Sequence, residues 1–194
     1  MENPLETIAL NGGWLCLDFI NTVSARLPVM GEEYLRSWDD FRIWVKRAAV
    51  LPEEERRVWD RLPESNIEEV HALREALFAL FQYAAQHGAL HPEHLDTLND
   101  LLHEVYPHTR ICLTPDGLRR GVEKAPHPEK PLWLIALSAE DLLMGDRLQR
   151  IKACDNCGWL FLDTSKNGAR RWCNMQTCGS QIKARAYYHR KKRL

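Results

Sequence analysis

Four cysteines near the carboxyl end of the sequence have the spacing of a metal site. Cys154 and Cys157 are two residues apart in a C-x2-C pair, fifteen residues follow, and Cys173 and Cys178 form a C-x4-C pair. A tight turn lets such a pair direct both thiolates at one ion, and two pairs complete the tetrahedron that Zn²⁺ prefers. Because four thiolates leave no open coordination position, the pattern predicts a structural Zn²⁺ site and not a catalytic one.

Three other interpretations of these cysteines stay open at this point, namely a disulfide pair, an iron–sulfur cluster and four thiols without a ligand. The other two cysteines, Cys16 and Cys112, lie singly in apolar segments. We expect both to be buried as small hydrophobic residues.

The sequence predicts a cytoplasmic protein with no membrane partner. Residues 1–10 lack a basic start and a continuous apolar run, so no secretory signal is expected. The longest nearly apolar stretch, residues 131–139, is far shorter than the roughly 20 residues of a spanning helix. A reducing compartment keeps thiols free, which favours metal ligation over disulfides.

Positive charge is concentrated in the same part of the chain as the cysteines. Residues 147–194 hold twelve basic and two acidic residues, a formal charge of +10, whereas the rest holds 14 basic and 25 acidic residues, a charge of −11. Such segregation is typical of a basic module with a polyanionic partner, joined to an acidic body. The alternative is that the basic end packs on the acidic body of the same chain.

Apolar periodicity predicts a mostly helical body ahead of the cysteines. Helices are predicted over 14–22, from a cap at Asp39 or Asp40 to Ala49, and from Pro52 onward. A longer helix over 65–86 is predicted to begin with a Ser65–Glu68 capping box and to end at Gly88. Two more helices are predicted from Pro92 onward and over 132–144. Residues 109–113 and 118–122, joined by a turn at 115–117, predict a β-hairpin.

The cysteine segment predicts a small fold of its own. Residues 159–163 are expected to form a strand that pairs with 170–173 across a polar turn, and a helix is expected after Cys178. This arrangement predicts a treble-clef-like zinc finger. The expected fold class is therefore a mainly α N-terminal domain with a β-hairpin, residues 1–146, plus a small C-terminal zinc finger of hairpin and helix, residues 147–194.

The basic residues of this segment are candidates for nucleic-acid binding. Arginine and lysine side chains on the hairpin and helix would contact phosphates, which give affinity and register. The candidates are Arg170, Arg171, Lys183, Arg185, Arg190, Lys191 and Lys192, with Gln181 beside Lys183 and Arg185 as a candidate contact to base edges. Trp159, Phe161 and Trp172 are expected in the core of the segment. Tyr187 and Tyr188 are expected to pack there too, and the alternative is that they stack on a base or bond a phosphate.

Three polar residues of the body, Asp18, Asn21 and Thr22, lie in an apolar segment and are candidate ligand contacts. The alternative is that they bond neighbouring backbone and position the next segment. Five histidines lie between residues 87 and 108, but no H-E-x-x-H spacing, Gly-rich phosphate loop or nucleophile elbow is present. We predict no catalytic residues and no enzyme activity.

Two motifs resemble known families. CxxCGWLFLDTSKN-x3-RWCxMxxCG, followed by K-x-R-x-YYxR, resembles the CGNR-type zinc finger, and GGWLCLDFINT at residues 12–22 resembles the start of the helical ABATE domain that precedes it. The resemblance implies a bacterial transcriptional regulator, with the finger as DNA binder and the ABATE domain as a sensor or partner-binding module. A homodimer, a small-molecule partner or a protein partner of the N-terminal domain is compatible with it.

One departure from the family concerns its naming motif, Cys-Gly-Asn-Arg, which here is Cys178-Gly179-Ser180-Gln181. A charged contact of the family is thus absent, although Gln181 can still form hydrogen bonds and Ser180 could cap the helix. The predicted function is a Zn²⁺-containing regulator that binds DNA through its finger. The alternative function is a zinc-stabilised protein–protein interaction or dimerisation module without DNA binding.

Overall fold

The helices and strands of the body enclose one long central helix. A computed structural model describes residues 3–114 and 117–192, without the side chains of residues 114, 119, 186, 189 and 190. In chain order the elements are α1 (Pro4–Thr7), α2 (Leu15–Ile20), α3 (Trp38–Arg47), α4 (Glu53–Trp59), α5 (Ile67–His87), α6 (Asp96–Val105), β1 (Thr109–Thr114), β2 (Gly117–Val122), α7 (Lys130–Met144), β3 (Ile151–Ala153), β4 (Leu160–Leu162) and α8 (Ser180–Lys191). Short 3-10 turns precede α6, β1 and β3, and a π-helical turn, Met175–Gly179, precedes α8.

Two helices begin at caps other than the predicted ones. The Ser37 Oγ atom accepts a hydrogen bond from the Asp40 N–H at 3.1 Å, so Ser37 and not an aspartate caps α3. The Asn66 Oδ1 atom accepts one from the Glu68 N–H at 2.9 Å, so Asn66 and not Ser65 caps α5. Each site has consecutive residues that could cap, and the angle at which the chain enters the helix decides among them.

The first hairpin forms as predicted, whereas the hairpin of the cysteine segment has a different strand pairing. Strands β1 and β2 pair antiparallel from Thr109↔Val122 to Thr114↔Gly117, as predicted, and the turn at 115 and 116 lies outside the described residues. The predicted pairing of residues 159–163 with 170–173 is wrong. Strand β4 pairs instead with β3, with Ile151 opposite Leu162. Both pairings close a loop of six residues, so loop length does not decide between them; in the observed pairing, Ile151 and Leu162 are both buried in the core of the body.

The apolar core extends without a break from the helices into the second hairpin. Buried side chains of α2, α5 and α7 form one cluster, to which Ile151, Leu160 and Leu162 of β3 and β4 belong. Strand β3 packs on α5, and β4 packs on α2. The first cysteine pair is therefore built on a hairpin that the body itself covers.

The predicted fold class is confirmed, because a mainly helical body with a β-hairpin is followed by a cysteine-bearing hairpin and a helix. Among the helices within residues 3–114 and 117–192, none is long and apolar enough to cross a membrane.

Candidate metal centre and its docking on the body

The four predicted ligand cysteines meet in one cluster. Their Sγ atoms all lie within 4.8 Å of one another, and the Cys173 Sγ atom lies 3.7 Å from those of Cys157 and Cys178. A tetrahedral Zn²⁺ site with Zn–S bonds of about 2.3 Å has S–S edges of about 3.8 Å. The thiols are not joined as disulfides, and their spacing is close to that of a tetrahedral zinc site. Three of them are buried, whereas Cys157 is half-buried.

A tight turn positions the first cysteine pair. The Cys154 N–H donates to the Trp159 carbonyl at 2.8 Å, and the Gly158 N–H donates to the Cys154 carbonyl at 2.9 Å. Gly158 has a φ of +75°, and a Cβ atom there would lie 2.8 Å from the Leu27 Cγ atom. Glycine is thus required by the left-handed backbone and by the close approach of the body.

A capped turn positions the second pair. The Asn174 Oδ1 atom accepts hydrogen bonds from the Gln176 and Thr177 N–H groups at 2.8 and 3.2 Å, which starts the π-helical turn that carries Cys178. Ser180 does not cap α8, because its hydroxyl donates to the Met175 carbonyl at 3.2 Å.

Asp163 organises the loop between the pairs, and the sequence analysis did not single it out. Its buried carboxylate accepts from the Ser165 N–H at 2.9 Å, the Arg170 N–H at 2.9 Å and the Lys152 ammonium at 3.0 Å. Burial disfavours the charged form, but hydrogen bonds from Ser165 and Lys152 outweigh it and hold the pKa of Asp163 well below its usual value. The signal in the sequence was an aspartate and a serine two residues apart directly after a strand, which is typical of an Asx turn.

Arg170 is engaged inside the finger. Its guanidinium donates to the carbonyls of Trp172 (3.0 Å) and Cys173, and it lies 4.6 Å from the centre of the Phe161 ring. These contacts position the chain next to a ligand cysteine and leave few free donors for the predicted phosphate contact. Arg171 is exposed and pairs with Asp155 at 2.7 Å.

The remaining predicted nucleic-acid residues lie on α8 or, in the case of Lys192, directly after it. Their side chains are exposed at Gln181, Lys183, Arg185, Lys191 and Lys192, whereas the side chain of Arg190 lies outside the described residues. Asn156 links two of them, since its Nδ2 donates to the Gln181 Oε1 atom at 2.9 Å and its Oδ1 accepts from Arg185 at 3.2 Å.

Not all aromatic and cysteine predictions hold. Phe161 is fully buried and Trp159 and Trp172 are half-buried against the cysteines, but Tyr187 and Tyr188 are exposed, so the prediction of core packing is wrong for both tyrosines. Cys16 is buried as predicted, and burial raises the pKa of its thiol, whereas Cys112 is only half-buried.

The Asn21 side chain, at the end of α2, makes the two backbone hydrogen bonds to strand β4 that a neighbouring strand would make. The buried Asn21 amide donates to the Leu160 carbonyl at 2.8 Å and accepts from the Leu160 N–H at 3.0 Å. The next residue, Thr22, donates to the Phe19 carbonyl at 2.8 Å. These two candidate ligand contacts thus have partners within the chain, and a ligand role for them stays a prediction.

The body also binds the turn of the first cysteine pair. The Cys157 carbonyl accepts from the N–H groups of Arg26 (2.6 Å) and Leu27 (3.2 Å), and the Trp159 indole N–H donates to the Val23 carbonyl at 2.9 Å. Arg26 is itself fixed, because its guanidinium pairs with Glu75 of α5 at 2.5 Å. The position of one zinc ligand is therefore coupled to an ion pair of the body in which Arg26 is buried and Glu75 is partly exposed.

Asp18, the third candidate ligand contact, holds a turn that also touches the finger. Its carboxylate accepts from the Gly12 N–H at 2.7 Å, and the Gly12 carbonyl accepts from the Leu162 N–H at 2.8 Å. Burial raises the pKa of Asp18 to about 6, against the opposing effects of the Gly12 hydrogen bond and the Arg47 charge.

We expect Asp18→Asn to change how stability depends on pH. The folded protein binds the Asp18 proton more tightly than the unfolded chain, so the wild-type free energy of unfolding falls as pH rises from 4 to 7. The variant lacks this loss and keeps an acceptor for Gly12, so it should gain about 2 kcal/mol relative to wild type across that range. Urea unfolding of both proteins at several pH values measures the difference, in which zinc effects common to both cancel. A constant difference would contradict the assignment.

Two family models match the chain. Residues 13–146 match ABATE, described as "putative stress-induced transcription regulator", and residues 150–191 match the CGNR zinc finger. Both resemblances drawn from the sequence motifs are thereby confirmed. No curated protein matches the chain. Together with the geometry of the four Sγ atoms, the zinc-finger match identifies Zn²⁺ as the metal of this protein.

Proposed function

Because the chain belongs to the ABATE family and carries a CGNR zinc finger, we propose that it is a transcriptional regulator that binds DNA through residues 147–194. The observation that carries the proposal is the unbalanced positive charge of α8. From residue 164 to the end the sequence has no aspartate or glutamate. The exposed cations of α8, among them Lys183 and Lys191, therefore have no acidic partner on their own helix.

The cations of the finger fall into two groups with different tasks. Lys152 and Arg150 hold the loop around Asp163, since Lys152 pairs with its carboxylate at 3.0 Å and Arg150 donates to the Ser165 carbonyl at 2.7 Å. Arg170 belongs with them through its backbone contacts. The phosphate contacts of the proposal are therefore assigned to Arg171 and α8, and Arg170 supports the fold of the surface.

Arg185 is the residue to which we assign a base-edge contact. Among the residues that the structure describes, its guanidinium bonds the neutral Asn156 and no carboxylate, so it keeps its charge and most of its five donors. Asn156 also holds Gln181, which stands where the family motif has arginine. The arginine of the family motif is thus replaced by the neutral Gln181, which helps to orient Arg185 because both side chains bond Asn156. Arginine is the commonest reader of guanine in the major groove.

The test is a salt titration of DNA binding with the full-length zinc-loaded protein. If about six phosphates are neutralised, log K should fall against log salt with a slope of about −5. Lys183→Ala combined with Lys191→Ala should make the slope shallower by about 2, because two cations assigned to phosphates are removed. A slope near zero for the wild type would refute the proposal.

The matched control is Lys46→Ala combined with Arg61→Ala, which removes two exposed cations from the helical body. This control has the same net charge as the α8 variant, so it should leave the slope unchanged if binding is local to the finger. Equal effects of the two double variants would mean that net charge and not α8 governs binding, and would overturn the assignment.

A second candidate function, dimerisation, is favoured by an apolar loop beside the finger. Leu27, Val29 and Met30 are exposed on the segment whose backbone bonds the Cys157 carbonyl. Exposed apolar groups next to one another are typical of interfaces. Sedimentation equilibrium should then give a dimer for wild type and a monomer for Val29→Asp, and a wild-type monomer at all concentrations would exclude this candidate.

A further inference from the structure

A concave site used by neither the zinc centre nor the proposed DNA surface lies beside α4. A cavity of about 500 Å³ opens between α4 and the segment that leads into α7. Its apolar walls include Leu51, Val58, Trp59 and Pro126. Small-molecule sites have volumes of roughly 300–1,000 Å³ and such apolar linings.

The walls of this cavity are held by internal contacts, so the site is formed before any ligand arrives. The Trp59 indole N–H donates to the Pro128 carbonyl at 2.7 Å. The His127 ring stacks on Trp133 with centroids 4.4 Å apart, and its Nδ1 atom accepts from the Glu129 N–H at 3.3 Å. Because Nδ1 accepts, Nε2 of the neutral ring carries the proton and is a donor.

A charged pair between a buried lysine and a partly exposed glutamate lies in the same cavity. Lys130 is only 4% exposed, and its ammonium donates to the Glu55 Oε2 atom and to the Glu123 carbonyl, both at 2.7 Å. An ammonium has three N–H groups, so one is left without a partner among the described residues. The second carboxylate oxygen of Glu55 likewise has no hydrogen-bond partner there.

The charges around the cavity are balanced. Lys124 and Lys130 supply two positive charges, and Glu54 and Glu55 supply two negative ones. A ligand with a single charge would satisfy only the third N–H of Lys130 or only the free oxygen of Glu55, and it would leave the charges around the cavity unbalanced. A zwitterion offers each member a partner of opposite sign.

We propose that this cavity binds a free α-amino acid with a large apolar side chain. The ligand carboxylate accepts from the third N–H of Lys130 and from the His127 Nε2–H. The ligand ammonium donates to the free oxygen of Glu55, and the side chain packs on Val58 and Trp59. The site lies apart from the cysteines, so the proposal does not depend on DNA binding.

The first test is calorimetric titration of the full-length zinc-loaded protein with L-phenylalanine and L-leucine. Matched probes are 3-phenylpropanoate, which lacks the ammonium, phenethylamine, which lacks the carboxylate, and glycine, which lacks the side chain. We expect binding of at least one of the two amino acids, with each probe weaker by roughly tenfold or more, because each loses a charged hydrogen bond or the apolar contact. Absence of binding by both amino acids, or equal binding by a singly charged probe, would overturn the proposal.

Two variants locate the binding within the cavity. Val58 is 50% exposed, so Val58→Arg should fold normally while blocking the cavity, and binding should be lost. Glu55→Gln should weaken amino-acid binding by roughly tenfold or more but leave 3-phenylpropanoate unaffected. The control is Ile111→Arg, at a side chain that is 71% exposed on β1 and outside the cavity, and it should bind as wild type. Unchanged binding by Val58→Arg would place the ligand elsewhere and refute the site.

Discussion

Cys157→Ser is expected to abolish zinc binding and to unfold the chain from the second cysteine pair through α8. Metal binding is folding free energy in such modules, with apparent values of about 10–16 kcal/mol for small zinc fingers. Helix α8 packs on the π-helical turn that carries Cys178, and no other element is in substantial contact with it among the described residues. Without the ion, nothing of comparable energy orders this segment.

The same variant should leave the helical body folded. Strands β3 and β4 belong to the core of the body, where Ile151, Leu160 and Leu162 are buried. We therefore expect metal analysis to give one zinc per chain for wild type and none for the variant. Circular dichroism should show the loss of a helical signal corresponding to the 12 residues of α8, while the main unfolding transition persists.

The control for this experiment is Cys112→Ser, which changes a half-buried cysteine outside the cluster and should retain zinc and α8. A strong chelator applied to wild type should reproduce the effect of Cys157→Ser. A variant that keeps one zinc per chain, or that keeps α8 ordered without metal, would show that the four-thiolate site is not what holds the finger.

Asn21→Ala is expected to lower the free energy of unfolding by about 2–4 kcal/mol. The Asn21 amide makes two hydrogen bonds to the backbone of Leu160, and all of these groups are buried. Truncation leaves the Leu160 N–H and carbonyl without partners, and each buried unsatisfied polar group costs about 1–3 kcal/mol. The loss should be measurable as a lower urea midpoint with an unchanged slope.

The matched control is Asn99→Ala, at an exposed asparagine of α6, which should change stability by less than about 0.5 kcal/mol. Because the finger hairpin shares its core with α5, we also expect wild type to unfold in one transition seen equally by circular dichroism and tryptophan fluorescence. An Asn21→Ala variant as stable as the control, or a separate transition for β3 and β4, would mean that the finger hairpin does not depend on the body.

Several features of the fold could be predicted from local sequence. The helix that became α5 was recognisable because its apolar side chains repeat at helical spacing, and its end was recognisable because Gly88 can adopt a left-handed φ, here +66°. The caps were displaced by one to three residues, since Ser, Asn and Asp side chains serve equally well. The strand at 160–162 was recognised, but its partner was not, because strand composition does not encode which neighbour will pair.

The chemistry of the metal site was contained in the sequence itself. Two cysteines two residues apart can share one ion whatever surrounds them, because a short turn imposes that geometry, and only the convergence of the second pair had to await the fold. The segregation of charge was also visible in the sequence, so an acidic body and a basic end could be predicted before any contact was known.

The tertiary structure alone decided which polar and charged side chains are free. Arg170 and Lys183 carry the same charge, yet the Arg170 side chain bonds backbone carbonyls beside Cys173 whereas the Lys183 side chain is exposed. The hydrogen-bond partner of Asn21 is Leu160, 139 residues away, a contact that the local sequence does not reveal. Hydrogen bonds between distant segments depend on how the elements pack, and local spacing in the sequence does not reveal them. The zinc ligands were therefore determined by the sequence, whereas the side chains available for binding were determined by the fold.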